Sequence, residues 1–275
     1  MFDRKGLKLR AKLVLLRSYS KVLLACLIVN LLSGGGLGIF SGRAKNMDFS
    51  AIPQDRLRLI SIIFLALVFI TVLLSIFMVA PLIVGHKKFM IENSKTNVSL
   101  NQLFVPFSKG YKRTVFVQFM KELFIFLWSL PALLPTAVVI LNYKAIIGMI
   151  INFANGSPVA ARALIGVTFL WGVSTLILSI PAIIKELQYI LVPYMLADNP
   201  EITWREALSE SKEMMVGNKW AYIKLRLSFL PWQIAASFIC GIGGLLVLPY
   251  IEATVCEMYL ELSGQTPAAN VVFEY

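Results

Sequence analysis

Between Arg58 and His86 the chain carries no charge. The 27 residues from Leu59 to Gly85, wound at 1.5 Å per residue, outreach the ~30 Å hydrocarbon core of a bilayer. Runs this long and apolar read as membrane spans, and five further apolar stretches share the chain. Composition agrees: 58% of residues are hydrophobic and 15% charged, where soluble domains hold about 45–50% and about 25%. Mean hydropathy is +0.76. The sequence therefore predicts an all-α integral membrane bundle of six transmembrane helices, with two or three interfacial amphipathic helices, forming a single polytopic domain over residues 1–275.

The predicted spans cover about 22–40, 59–85, 113–141, 163–197, 220–240 and 244–262. The fourth would be ~50 Å long as one helix, so it needs a kink near Pro181 or an extension into the cytoplasm. Only Gly241 to Gly243 separates the last two, which predicts a tight helical hairpin. Loop charge sets the orientation, because Lys and Arg collect on the cytoplasmic side. The N-terminal segment and the second and fourth loops hold sixteen Lys and Arg against six in the first and third. Both termini are thus expected in the cytoplasm. The net charge of +11 would point to nucleic acid in a soluble chain. Here it points to the anionic inner leaflet, and no nucleic-acid partner is expected.

Interfacial helices are expected at about 4–18, 100–108 and 204–216. The first spaces Leu7, Ala11, Val14 and Leu15 helically among Lys and Arg, the pattern of a basic helix on a membrane surface. The other two open with capping boxes, Ser99 with Gln102 and Thr203 with Glu206. Gly110 and Gly217 follow them, where a helix-terminating glycine belongs. The second of these segments shares one face among Leu100, Leu103, Phe104 and Phe107, the third among Trp204, Ala207, Leu208, Ser211 and Met215. Each segment lies between spans that carry prolines, Pro81 and Pro131 about one, Pro193 and Pro231 about the other. That spacing fits either a parallel internal repeat or chance.

Ionisable residues inside spans are the candidates for function, since a charge at bilayer depth costs about 3 kcal/mol. Lys121, Glu122, Lys185, Glu186, Lys224, Arg226, Glu252 and Glu257 form such a layer toward the cytoplasmic ends. Antiparallel spans three and four would let Lys121 meet Glu186 and Glu122 meet Lys185. The layer is either structural glue with partly snorkelling side chains, or the lining of a polar cavity for an ion, a lipid headgroup or a small solute. Glu252 and Glu257 sit ~140° apart around a helix, which argues against a paired-carboxylate hydrolase. His86, the single histidine, ends a span and is expected to be interfacial. Cys26, Cys240 and Cys256 lie in apolar stretches and read as small buried hydrophobes. The chain contains no phosphate-binding glycine loop, HExxH or GxSxG. No catalytic residue, cofactor or metal is predicted.

The motifs Ile180-Pro-Ala-Ile-Ile, Val192-Pro-Tyr-Met-Leu-Ala-Asp-Asn-Pro200, Ala207-Leu-Ser-Glu-Ser-Lys, Met215-Val-Gly-Asn-Lys-Trp220 and Leu248-Pro-Tyr-Ile-Glu-Ala-Thr254 stand out, with the basic opening Arg4 to Lys12. In these the chain resembles an uncharacterised family of bacterial multi-pass membrane proteins, mainly Gram-positive, classed as a domain of unknown function. That family is distantly similar to the membrane region of some glycerophosphodiester phosphodiesterases. The resemblance implies a bacterial plasma membrane and assigns no activity. The expectation is a non-enzymatic binding, scaffold or accessory protein of the envelope, with a membrane protein as possible partner. A small-solute or lipid transporter using the charged layer is the alternative.

Overall fold

A computed structural model describes residues 2–33, 54–238 and 243–265. Every regular element among them is helical. The end of the first predicted span (34–40), the first loop with Arg43 and Lys45, Cys240 and the turn at 241–242 lie outside the described residues. Four helical stretches are long and apolar enough to cross a membrane: Arg4–Leu32, Arg58–Lys95, Tyr111–Leu141 and Pro158–Asp198. The chain divides into two compact units, one made of residues 1–119 and 191–275, the other of 120–190.

In the first unit, helix α1 (Arg4–Leu32) starts at Asp3, whose carboxylate accepts from the N–H groups of Lys5 and Gly6, both at 3.0 Å. It bends at Ser18 (φ −145°, ψ 27°), where the predicted interfacial segment was expected to stop. The Ser18 hydroxyl donates to the Val14 carbonyl at 3.0 Å, a side-chain bond that bends helices. Of the stripe expected to face lipid, Leu7, Ala11 and Leu15 turn inward and are buried, as are Val22 and Ala25 of the predicted span, while Val14 is half-buried. They pack on α13 (Gly243–Leu262), which runs antiparallel to α1. The antiparallel sense is fixed by Asp3 meeting Glu261 and Tyr19 meeting Leu246.

Helix α2 (Gln54–Leu74) continues through a wide turn at Ser75–Val79 into α3 (Ala80–Lys95). The wide turn has a local cause. Pro81 has no N–H to give the Phe77 carbonyl, and the helix loosens by one residue ahead of it. The Tyr111 hydroxyl supplies the missing donor, 2.9 Å from the Phe77 oxygen. Below that point α3 is buried in the unit. Above it, every residue from Arg58 to Ser75 whose side chain is described is exposed. An isoleucine- and phenylalanine-rich helix presented on all sides is compatible with a membrane span.

Two predicted elements are corrected. Ser99 makes no side-chain cap, and Leu100–Phe104 is a 3-10 turn leading into the single turn α4 (Val105–Ser108). The Gln102 N–H is directed at the Ser99 carbonyl (3.4 Å), as the tighter turn requires, so it is not available to the hydroxyl. The predicted fifth span is likewise not one helix. It breaks at Ser228–Phe229 into α11 (Lys219–Leu227) and α12 (Leu230–Ser237), because Pro231 suits a helix start and not an interior. The Thr203–Glu206 box forms as drawn and opens α10 (Trp204–Met214). Its apolar face, with Ala207, Leu208 and Ser211, is buried in the unit rather than laid outward. Gly110 and Gly217 adopt φ of +71° and +74°, the left-handed conformation that ends a helix.

The second unit holds the end of α5 (Tyr111–Ser129), a 3-10 turn at Leu130–Leu133, α6 (Leu134–Leu141), α7 (Tyr143–Ala154) and α8 (Pro158–Gln188). Helix α8 runs through Pro181 without ending. The chain breaks after it instead, at Tyr189–Leu191, before α9 (Val192–Asp198) and its Pro193. Helix α7 occupies what the sequence presented as a loop around Lys144; at twelve residues it is too short to have registered as a span. Most of this unit's leucine, isoleucine and phenylalanine side chains are exposed, as on α2.

Candidate functional site

The first unit gathers its internal ions where α1, α3, α9 and α13 meet. Glu252 and Glu257 project from α13. Helix α3 runs parallel to α13 and answers them in register: Lys87 pairs with Glu252, and the Ser94 hydroxyl donates to Glu257 at 2.5 Å. Helix α1 answers from its other side. Arg10 Nε lies 3.3 Å from Glu257, an ion contact outside hydrogen-bond geometry, while Arg10 Nη2 donates to Glu261. Glu257 is 1% exposed. A carboxylate that deep is tolerable only when charge and hydrogen bonds surround it.

A second layer of polar side chains locks α1 to α3. Arg17 and Asn93 join them, the guanidinium donating to the Asn93 carbonyl and the Asn93 amide donating to Ser18 Oγ at 2.7 Å. The kink at Ser18 is therefore held from both directions. Lys21 reaches Asn97 Oδ1 at 2.6 Å. On α9, Tyr194 stacks on Tyr259 with ring centroids 5.2 Å apart, and Lys87 Nζ lies 4.9 Å from the Tyr194 ring. Tyr259 donates to Asp198 at 3.3 Å. Tyr194 Oη is buried without a hydrogen-bond partner among the described residues.

Cys26, His86 and Glu252 line up as thiol, imidazole and carboxylate. His86 Nε2 is 3.6 Å from Cys26 Sγ, and Nδ1 is 4.0 Å from Glu252 Oε2. The second distance is too long for the hydrogen bond that would orient a general base. Cys26 and His86 are 2% and 4% exposed, so no substrate carbonyl reaches the sulphur in this conformation. His86, expected at an interface, is a packed core residue. Cys26 and Cys256 are buried and unbridged.

The eight charges singled out from the sequence divide between the two units. Glu252 and Glu257 belong to the cluster just described. In the second unit Lys121 pairs with its own neighbour Glu122 at 2.8 Å, in place of the expected partner Glu186. Lys185 sits over the Trp128 ring at 4.9 Å, in place of Glu122. Glu122 and Glu186 are exposed. Lys224 and Arg226 lie in the last turn of α11 and are exposed, and the Arg226 charge acts on Glu252 from the edge of the cluster. Arg10, Lys87, Asn93, Ser94 and Tyr194 escaped sequence reasoning because Arg10 and Lys87 were counted as loop charges. One signal was available: His86 with Asn93, and Lys87 with Ser94, stand seven apart, two turns on one helix face.

Helices of this length and apolarity, over a core of buried ions neutralised in pairs, define an all-helical protein compatible with a membrane. The chain belongs to the family described as protein of unknown function (DUF975), whose model matches residues 1–266. Neither a curated protein nor a solved structure matches the chain.

Proposed function

We propose that the protein is a multi-pass component of a bacterial plasma membrane that works by binding, as a scaffold or accessory subunit, and not by catalysis. One observation carries this reading: the half-buried Glu252 and the buried Glu257 are engaged by Lys87 and Arg10 of the same unit. Ions spent on one another hold helices together and are poor candidates for reacting with a substrate. What remains for interaction is the outer surface, where the apolar sides of α2, α6 and α8 are exposed.

Both termini in the cytoplasm is the topology we favour. The loop-charge asymmetry supports it, and so does the hydrogen bond from the Asp3 N–H to Glu261, which brings the two ends of the described chain together. Purification in mild detergent after crosslinking in cells tests the function: a defined membrane partner should copurify. A chain recovered alone and monodisperse overturns the scaffold reading.

Transport of a small solute or lipid is the second reading. The break between α11 and α12 at Pro231 favours it, since discontinuous helices build binding sites in many transporters. Faster solute flux into proteoliposomes than into empty vesicles would support transport. Equal flux across a broad panel would remove it.

A further inference from the structure

Helix α1 carries a second apolar stripe. Leu9, Leu13 and Leu16 follow at i, i+4 and i+7 and are 61%, 46% and 85% exposed, on the side opposite the stripe that packs on α13. Lys5 and Lys12 flank this outward stripe, and both are exposed. Arg10, Arg17 and Lys21, along the other flank, are engaged by Glu257, Glu261, Asn93 and Asn97. The basic groups left for an outside partner therefore lie on the Lys12 side.

There, between α1 and α13, an open groove of about 400 Å³ is lined by Lys12, Leu15, Leu16, Tyr19 and Tyr250. That is within the size range of ligand sites, about 300–1,000 Å³. Its polarity is graded along the helix. The ammonium of Lys12 stands at the N-terminal end; Leu15, Leu16 and Tyr19 follow about 4.5, 6 and 10 Å further along the axis. The order of charge, then apolar wall, is the order of groups in an anionic phospholipid: phosphate, then acyl chain.

We infer that this groove holds one anionic phospholipid, its phosphate on Lys12 and an acyl chain along Leu15, Leu16, Tyr19 and Tyr250. The inference rests on the membrane location proposed above and adds a specific site to it. Charge complementarity selects the occupant. The site offers a cation with no carboxylate among its lining residues, and Lys8, one turn away, is held at 4.4 Å over the Phe229 ring with no ion pair among the described residues. A phosphatidylcholine brings its own cation and gains less from Lys12.

The test is native mass spectrometry of the full chain in mild detergent, titrated with phosphatidylglycerol or phosphatidylcholine of the same acyl chains. One phosphatidylglycerol should be retained in preference to phosphatidylcholine. Lys12→Gln should weaken its binding about fivefold, the loss of one basic residue's attraction to an anionic headgroup. Leu16→Asn should weaken both lipids. Lys144→Gln changes net charge equally from the other unit and should leave binding unchanged. Lys12, Leu16 and Lys144 are exposed, so the folded chain tolerates all three substitutions. Equal retention of the two lipids overturns the site, as does an unaffected Lys12→Gln or an equal loss from Lys144→Gln. A dimer that Leu16→Asn dissociates also overturns it, making the groove a contact between copies. In every case membrane fractionation and partner recovery, measured in parallel, report separately on the scaffold reading.

Discussion

Replacing Lys87 by methionine is the most direct perturbation of the cluster. The side chains of Lys87 and Glu252 are 14% and 20% exposed, and their ion pair joins α3 to α13. Deleting the cation leaves the carboxylate with His86, 4.0 Å away, and the more distant charge of Arg226. Breaking a buried pair from one side costs about 3–5 kcal/mol. Removing both partners in Lys87→Met/Glu252→Leu leaves no charge stranded, and paired replacements of this kind are often neutral. The double variant should therefore be more stable than either single one, and the two single losses should be far from additive, as expected of sites in contact. At roughly 2–4 °C per kcal/mol for a chain of this size class, each single variant should melt about 6–20 °C below the parent in detergent. The assay is a thermal melt of four proteins: parent, Lys87→Met, Glu252→Leu and the double. If the two losses simply add, the pair is screened by solvent and does not lock the unit. If a bound solute raises the parent's melting temperature and that rise disappears in Glu252→Gln, the carboxylate serves a ligand and the transport reading gains.

Gly85 is the next test. A Cβ there would sit 1.9 Å from the Leu103 carbonyl oxygen, a backbone atom with little room to retreat. Gly85→Ala should destabilise by at least the ~1–3 kcal/mol typical of overpacking, read in the same melt; an unchanged melting temperature would show that the 3-10 turn does not press on α3. Tyr111→Phe removes the donor that completes the helix above Pro81 and should cost about 1 kcal/mol, with faster amide exchange near 77–81; unaltered exchange would count against it. The Glu206 carboxyl is held below its usual value, first by the Thr203 N–H and then by the Thr203 hydroxyl. A depressed folded-state value stabilises above the ordinary carboxylate range and is lost as pH falls through it, so exchange protection at the start of α10 should decline with acidification in the parent and stay flat in Glu206→Gln.

Helix length was legible in the sequence wherever apolarity alone decides it. The run after Arg58 needed only counting, and the fourth apolar stretch was readable as a long helix although its break at 189–191 was not. What local pattern could not deliver was where proline interrupts. Pro81, Pro131, Pro181, Pro193 and Pro231 look alike in the sequence, yet the outcomes are a wide turn, a 3-10 turn, an unbroken helix and two breaks. The difference lies in whether a distant donor such as Tyr111 can serve the carbonyl that proline leaves bare, and that is a tertiary fact. Capping divides the same way. Thr203 and Glu206 satisfy each other within one turn, so sequence sufficed; Ser99 and Gln102 have the same residue types, but the close approach of Leu103 to Gly85 accompanies a tighter turn in which the box cannot close.

The charges show why a chain of long apolar helices is hard to read by depth alone. Counting residues from the span ends puts Lys121, Lys185 and Glu252 at similar depth, which is correct arithmetic for isolated helices. Partners are chosen by face as well as depth. Glu252 and Glu257, ~140° apart on α13, look to different neighbours, and each finds a base from a different helix. Those bases, Lys87 and Arg10, come from segments whose positive charge had been assigned to orientation. One side chain can serve both purposes: a lysine or arginine at the cytoplasmic end of a helix satisfies the charge asymmetry and still turns its head inward to a carboxylate. In this chain that double use binds the amphipathic N-terminal helix to α13 through Arg10, and the opposite face of the helix, with Leu9, Leu13, Leu16 and Lys12, is left exposed.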